Sequence, residues 1–219
     1  MISKINVLMI LKGETEDMNL NWLAKEAHQT AVEHGFWTPE PTFGELVALM
    51  HSELSEALEE YRAGRPMVWY SCDVSDACCE LGKYHYTVHC CQGCGHRGTK
   101  PEGIAVELAD CIIRMLDWIY AKWDGRWGDM DLEVEKCARG CTKSVLQRSF
   151  GDDVNKLHDL LSAASKNGDN SAIALSYFRW TISYIFNWAE QNQLDMYAII
   201  REKMDYNKTR PYRHGGKRL

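Results

Sequence analysis

Two short acidic stretches carry the residues most able to do chemistry. The first is HSELSEALEE (51–60), with Glu53, Glu56, Glu59 and Glu60; the second is ELAD, with Glu107 and Asp110. Residues three apart share one face of a helix. Glu53 with Glu56, and Glu107 with Asp110, therefore form two carboxylate pairs. Two helices packed antiparallel would bring the four acids together, and four like charges at close range need a cation between them. A hard divalent ion with oxygen ligands, Mg²⁺ or Mn²⁺, suits that donor set.

The helices that must position these acids are legible. Thr42 and Glu45 make a capping box before a helix over about 43–63, ended by Gly64 and Pro66. At about 100° per residue, Leu46, Leu49, Met50, Leu54, Ala57, Leu58 and Tyr61 define an apolar arc. Glu53 falls inside it, Glu56 and Glu60 at its edge, and Glu59 toward water. A helix over 104–123 is apolar almost all round, which places it inside the protein. Its polar residues form one stripe: Glu107, Asp110, Arg114 and Asp117. Buried carboxylates must be paired, protonated or bound to a cation. Salt bridges to Arg62, Arg65 or Arg114 account for Glu59, Glu60 and Asp117. Cations on the same faces are too few to neutralise Glu53, Glu56, Glu107 and Asp110, which favours a metal there.

Further helices are predicted over 19–36, weakly over 131–150, and over 152–166, 171–190 and 194–206. Residues 67–100 lack a clear period and read as a Cys/His-rich insertion. Strand patterns are nearly absent outside it, so the expectation is one all-α domain over 1–219 with an extra helical segment at 125–190. The stretch at 104–118 is loosely echoed at 173–188, where the acids have become Tyr, Ser, Arg or Trp. A degenerate duplicated hairpin and two merely similar core helices explain this about equally well.

The spacing E-x-x-E followed by E-x-x-D, set in KEAHQTAVEHGFW (25–37), FGELVALMHSELSEALEEYRAGRP (43–66), KPEGIAVELADCIIRMLDW (100–118) and REKMDYNKTRPYRHGGKRL (201–219), resembles the MazG-like all-α NTP pyrophosphohydrolases. The likeness covers about a third of the chain. It implies a four-helix core, a homodimer or higher homo-oligomer, and hydrolysis of a nucleoside triphosphate between its α and β phosphates. Glu53 or Glu56 would orient the attacking water or take its proton, and Glu53, Glu56, Glu107 and Asp110 would hold Mg²⁺ or Mn²⁺. Lys203, Asn207 and Arg210 would meet the triphosphate. His28 and Trp37 resemble positions near the nucleotide, although an aromatic beside a helix end is as often core. Ser52 departs from the pattern, since many relatives carry an acid there.

The insertion holds six of the nine cysteines within 23 residues. Cys91-x-x-Cys94 suits a metal knuckle, with Cys72, Cys78, Cys79, His85, His89, Cys90 and His96 as further candidate ligands for a structural Zn²⁺. The alternative is a loop of reduced thiols that reaches over the nucleotide. Cys111 reads as core, while Cys137 and Cys141, four apart, could add a site. A net charge of −6 argues against stable nucleic-acid binding. No apolar run reaches the ~18 residues of a membrane span, and VLMIL near the N-terminus is too short for an export signal; a reducing cytoplasm is the expected compartment. Two narrower readings stay open: a dUTP- or dCTP-specific diphosphatase for pool sanitation, and a non-catalytic regulatory module stapled by zinc.

Overall fold

The computed structural model describes residues 19–71, 100–141, 149–168 and 171–216. The elements are α1 (Leu20–Glu33), α2 (Phe43–Arg62), β1 (Trp69–Ser71), β2 (Lys100–Glu102), α3 (Ile104–Trp123), α4 (Met130–Cys141), α5 (Phe150–Lys166), α6 (Ser171–Gln191) and α7 (Met196–Lys208). The fold is all-α apart from one antiparallel ribbon, β1 on β2, which pairs Trp69 with Glu102 and Ser71 with Lys100. That ribbon ties together the two ends of the Cys/His-rich segment. No helix among the described residues is long and apolar enough to cross a membrane.

Local sequence explains most boundaries. The α2 capping box is present, with the Thr42 side chain accepting from Glu45 N and the Glu45 side chain accepting from Thr42 N. Helix α1 is shorter than its apolar period suggests. It stops at Glu33, and Gly35 turns with φ of +79° beneath the Tyr212 ring, where a Cβ would clash with the aromatic carbons. At Gly103 a Cβ would stand 2.7 Å from Met67 O. Glycine lets the backbone pass there, and Ala105 N then donates to Met67 O as α3 begins. Of the helix expected over 131–150, Met130–Cys141 is helical as α4, and Ser149 is extended. Ser149 caps α5 through its own box with Asp152, and the helix begins at Phe150, two residues ahead of the expected start.

Helix α3 is the axle. It packs on α1, α2, α6 and α7, and its Leu108, Ile112, Met115, Leu116 and Ile119 are almost wholly excluded from water. Cys111 is buried beside them, as its helix position predicted.

The loose echo between 104–118 and 173–188 extends to whole units. TFGELVALMHSELSEA (42–57) aligns without a gap on SFGDDVNKLHDLLSAA (149–164), with Phe, Gly, Val, His, Leu, Ser and Ala identical at corresponding places and a capping box opening each. Burial puts α3 and α6 in register: Leu108 with Phe178, Ile112 with Ile182, Met115 with Ile185 and Trp118 with Trp188. The packing repeats too. Within α1–α3 and within α4–α6, the first and second helices both pack on the third. Between the units each helix meets its own counterpart, α1 on α4, α2 on α5 and α3 on α6. Equivalent histidines come face to face where α2 packs on α5: His51 Nδ1 lies 2.7 Å from His158 Nδ1, with the rings 11° from parallel. The 125–190 segment is thus a second three-helix unit that covers the first. Counterparts of Glu53, Glu56, Glu107 and Asp110 in this register are Leu160, Ala163, Tyr177 and Trp180.

Candidate acid cluster and adjoining cavity

Three of the four inward acids meet. Glu53 and Glu56 on α2 and Glu107 on α3 each offer a carboxylate oxygen, all within 4.8 Å of one another. Glu53 and Glu107 are only 5% and 6% exposed, whereas Glu56 faces out. Ser52 donates its hydroxyl to Glu56 Oε1 at 3.1 Å and so fixes that carboxylate from the preceding turn.

The fourth acid is drawn elsewhere. Asp110 Oδ2 lies 3.0 Å from Lys203 Nζ, which also donates to Pro101 O at 3.3 Å. Glu53 takes a 2.6 Å hydrogen bond from Arg114 Nε. Two cations thus join the four acids, Arg114 turned inward from α3 and Lys203 arriving from α7, and they remain too few to neutralise all four. Lys203 is 3% exposed and engaged with Asp110, rather than free to meet a substrate.

Electrostatics follow from burial. Burial pushes the Glu107 carboxyl up to about 8; Lys203 pulls it back, while Asp110, Glu53 and Glu56 push it further. Burial also raises Glu53, against the pull of Arg114. Burial opposes charge on Lys203, but Asp110 and Glu107 outweigh it and the ammonium is held above its usual range. A raised carboxyl makes the folded chain hold a proton that the unfolded chain has lost. Its stabilising contribution is full below the ordinary value of 4.5 and is lost as pH rises through about 8. His51 and His158, both lowered first of all by burial, act with the opposite sign but only at lower pH. In EDTA, the melting temperature is expected to fall between pH 7 and pH 9. The fall should flatten in Glu107→Gln and shrink when Mg²⁺ is added. A wild-type curve that rises over this window contradicts the assignment.

Beside the acids lies a cavity of about 110 Å³, room for several waters at roughly 10–15 Å³ each. Asp110, Ile113, Arg114 and Asp117 line it from α3, Leu46 and Leu49 from α2, and His34, Phe36 and Trp37 from the end of α1 and the turn beyond. Met204, Asn207, Arg210 and His214 close the far side. The C-terminal segment is fastened there: His34 Nε2 bonds Arg210 O at 2.9 Å, and Arg213 N donates to His34 O at 3.0 Å.

Of the residues expected near a nucleotide, Trp37, Asn207 and Arg210 line this cavity, while His28 stands behind its wall. Asp117 joins the two aromatics, accepting from Trp37 Nε1 at 3.0 Å and bonding His28 Nδ1 at 2.8 Å. The partner expected for Asp117 was an arginine. Trp37 and His28 reach it first because α1 packs directly on α3. Glu59 and Glu60 do pair with Arg62 and Arg65, each at 2.6 Å. The candidate zinc ligands Cys72, Cys78, Cys79, Cys91 and Cys94 lie outside the described residues, as do His85, His89, Cys90, His96 and the side chain of Cys141.

The donor set fits a hard divalent cation: carboxylate oxygens only, from two helices that hold them together, with Glu107 buried and without a hydrogen bond or ion pair of its own among the described residues. Sequence reasoning missed the inward turn of Arg114 and the Ser52–Glu56 bond. Both residues were visible, but only the packed helices decide which way they point. Set against protein-family models, curated proteins and solved structures, the chain matches none.

Proposed function

We propose that this chain is a divalent-metal-dependent nucleoside triphosphate pyrophosphohydrolase, which attacks the α phosphate with water and releases a monophosphate and pyrophosphate. The meeting of Glu53, Glu56 and Glu107 within 4.8 Å, beside a cavity lined by two guanidinium groups, carries this reading. The resemblance of the acidic motifs to the MazG-like enzymes supplies the substrate class.

Glu53, Glu56 and Glu107 would hold Mg²⁺ or Mn²⁺, with Asp110 adjoining. When bound, the ion neutralises phosphate charge and acidifies water. Glu56 is the exposed member of the trio and the one best placed to orient a water and accept its proton. Arg210 lines the cavity and suits phosphate oxygens, while Arg114, also in its wall, is held by Glu53. Trp37, with its indole N–H fixed on Asp117, presents an aromatic wall to that cavity, a surface on which a base can stack.

The test is a panel of ribo- and deoxynucleoside triphosphates incubated with the full chain, with Mg²⁺ or with EDTA. Pyrophosphate and the matching monophosphate are expected in Mg²⁺ alone, and the preferred base is read from the same panel. Folded protein that releases pyrophosphate from none of them would count against an enzyme and for a binding module.

A further inference from the structure

The acid cluster is already half balanced from within. Fully ionised, as a bound cation would require, Glu53, Glu56, Glu107 and Asp110 bring four negative charges. Arg114, at 2.6 Å from Glu53, and Lys203, at 3.0 Å from Asp110, return two positive ones. What remains matches the charge of one divalent ion, and it falls on Glu56 and Glu107. Glu107 gives an independent sign of a missing partner. It is 6% exposed, turned toward Glu53 and Glu56, and makes no hydrogen bond or ion pair with any described residue. A buried carboxylate left without a partner is costly. A second ion bound between Glu53 and Asp110 would have to displace Arg114 or Lys203, at the cost of leaving a buried cation unpaired.

The internal repeat supplies no second cluster. Counterparts of the acids in the α4–α6 unit are Leu160, Ala163, Tyr177 and Trp180, none of them a ligand for a hard ion.

We propose that the chain binds one divalent cation, at Glu53, Glu56 and Glu107, and that Arg114 and Lys203 are built-in counter-charges standing where a second ion would otherwise be needed. This rests on the metal-dependent reading above and fixes its stoichiometry. Lys203 is accordingly a positioning residue for Asp110.

Mn²⁺ titration of the full chain, freed of metal with EDTA and without nucleotide, tests it by electron paramagnetic resonance of the unbound ion. One Mn²⁺ per chain is expected in wild type, and Glu107→Gln should weaken its binding at least tenfold. Lys203→Met, checked for helicity, removes one counter-charge. It should bind the first ion at least tenfold more tightly or take up a second, while Lys203→Arg should stay at one. Two ions per wild-type chain, both lost in Glu107→Gln, overturn the proposal, and that count is decisive even where Lys203→Met does not fold. An unchanged titration in folded Lys203→Met overturns the counter-charge role. No Mn²⁺ binding overturns both this and the metal-dependent reading. One ion without pyrophosphate release leaves the stoichiometry standing and removes the enzyme.

Discussion

Arg114→Met is expected to destabilise the ion-free protein by about 3 kcal/mol, the low end of the ~3–5 kcal/mol typical for removing one partner of a buried ion pair. The low end applies because Arg114 is itself about a third exposed, at 36%, whereas the Glu53 side chain is at 6%. The cost comes from Glu53, which keeps its carboxylate among the apolar residues of α2 and α3 and loses its 2.6 Å donor. Two companion measurements separate this cause from simple loss of packing. Glu53→Leu combined with Arg114→Met should recover most of the stability, since an apolar pair in place of a buried ion pair is often neutral or better. Mg²⁺ should restore more stability to Arg114→Met than to wild type, because an ion at Glu53 replaces the missing charge. Urea denaturation with and without Mg²⁺ reads both. An Arg114→Met midpoint that coincides with wild type in EDTA would show that the pair contributes nothing.

The arrangement around Arg114 also shows where sequence reasoning stops. The apolar period of 104–123 placed α3 in the interior and its acids on one stripe, and the structure has them so. The wheel separated Glu59 and Glu60, which pair with arginines at the surface, from Glu53, which goes in. Periodicity fixes the face on which a Cα sits. It does not fix which cation a long side chain reaches, and Lys203 approaches Asp110 from a helix more than ninety residues away in the chain. The same limit explains Asp117. Its neighbour on the stripe is Arg114, but its bonds go to His28 and Trp37, which only the packing of α1 on α3 brings within reach.

The second unit was partly legible. The α3–α6 echo is blurred because every position facing the acid site has changed. The α2–α5 match is sharper, because Phe43 and Phe150, His51 and His158, and the two capping boxes keep structural jobs in both copies. Read without the packing, Ser149 and Phe150 fell at the end of a weak helix over 131–150, ahead of a helix beginning near 152. With it, α5 covers α2, and the apolar face that a lone hairpin would expose is covered inside one chain. Several shared structural positions keep their residues, such as Phe43 and Phe150, His51 and His158, and Trp118 and Trp188, while the counterparts of the acids are Leu160, Ala163, Tyr177 and Trp180. The proposed chemistry would therefore fall to the α1–α3 unit, where the candidate acid group lies.

That assignment makes Glu56 the most exposed test of the proposed chemistry. Glu56→Gln is expected to lower kcat by about 10²–10⁴-fold, the range typical for loss of a general acid or base. Stability should move by no more than about 0.5 kcal/mol, because the side chain is on the surface and its one described bond is the 3.1 Å contact from Ser52. Two roles meet in this residue, and Mg²⁺ dependence separates them. If Glu56 serves mainly as a ligand, saturating Mg²⁺ should return much of the rate. If it mainly accepts the proton, the rate should stay low at any Mg²⁺ concentration while Mn²⁺ affinity changes little. Ser52→Ala leaves the carboxylate in place and removes only its donor, so the expected loss is smaller, within about tenfold for one neutral-to-charged hydrogen bond of ~1.5 kcal/mol. A folded Glu56→Gln protein that turns over at the wild-type rate would remove Glu56 from the reaction and move the burden of water activation to Glu53, the only other carboxylate of α2 that reaches the cluster among the described residues.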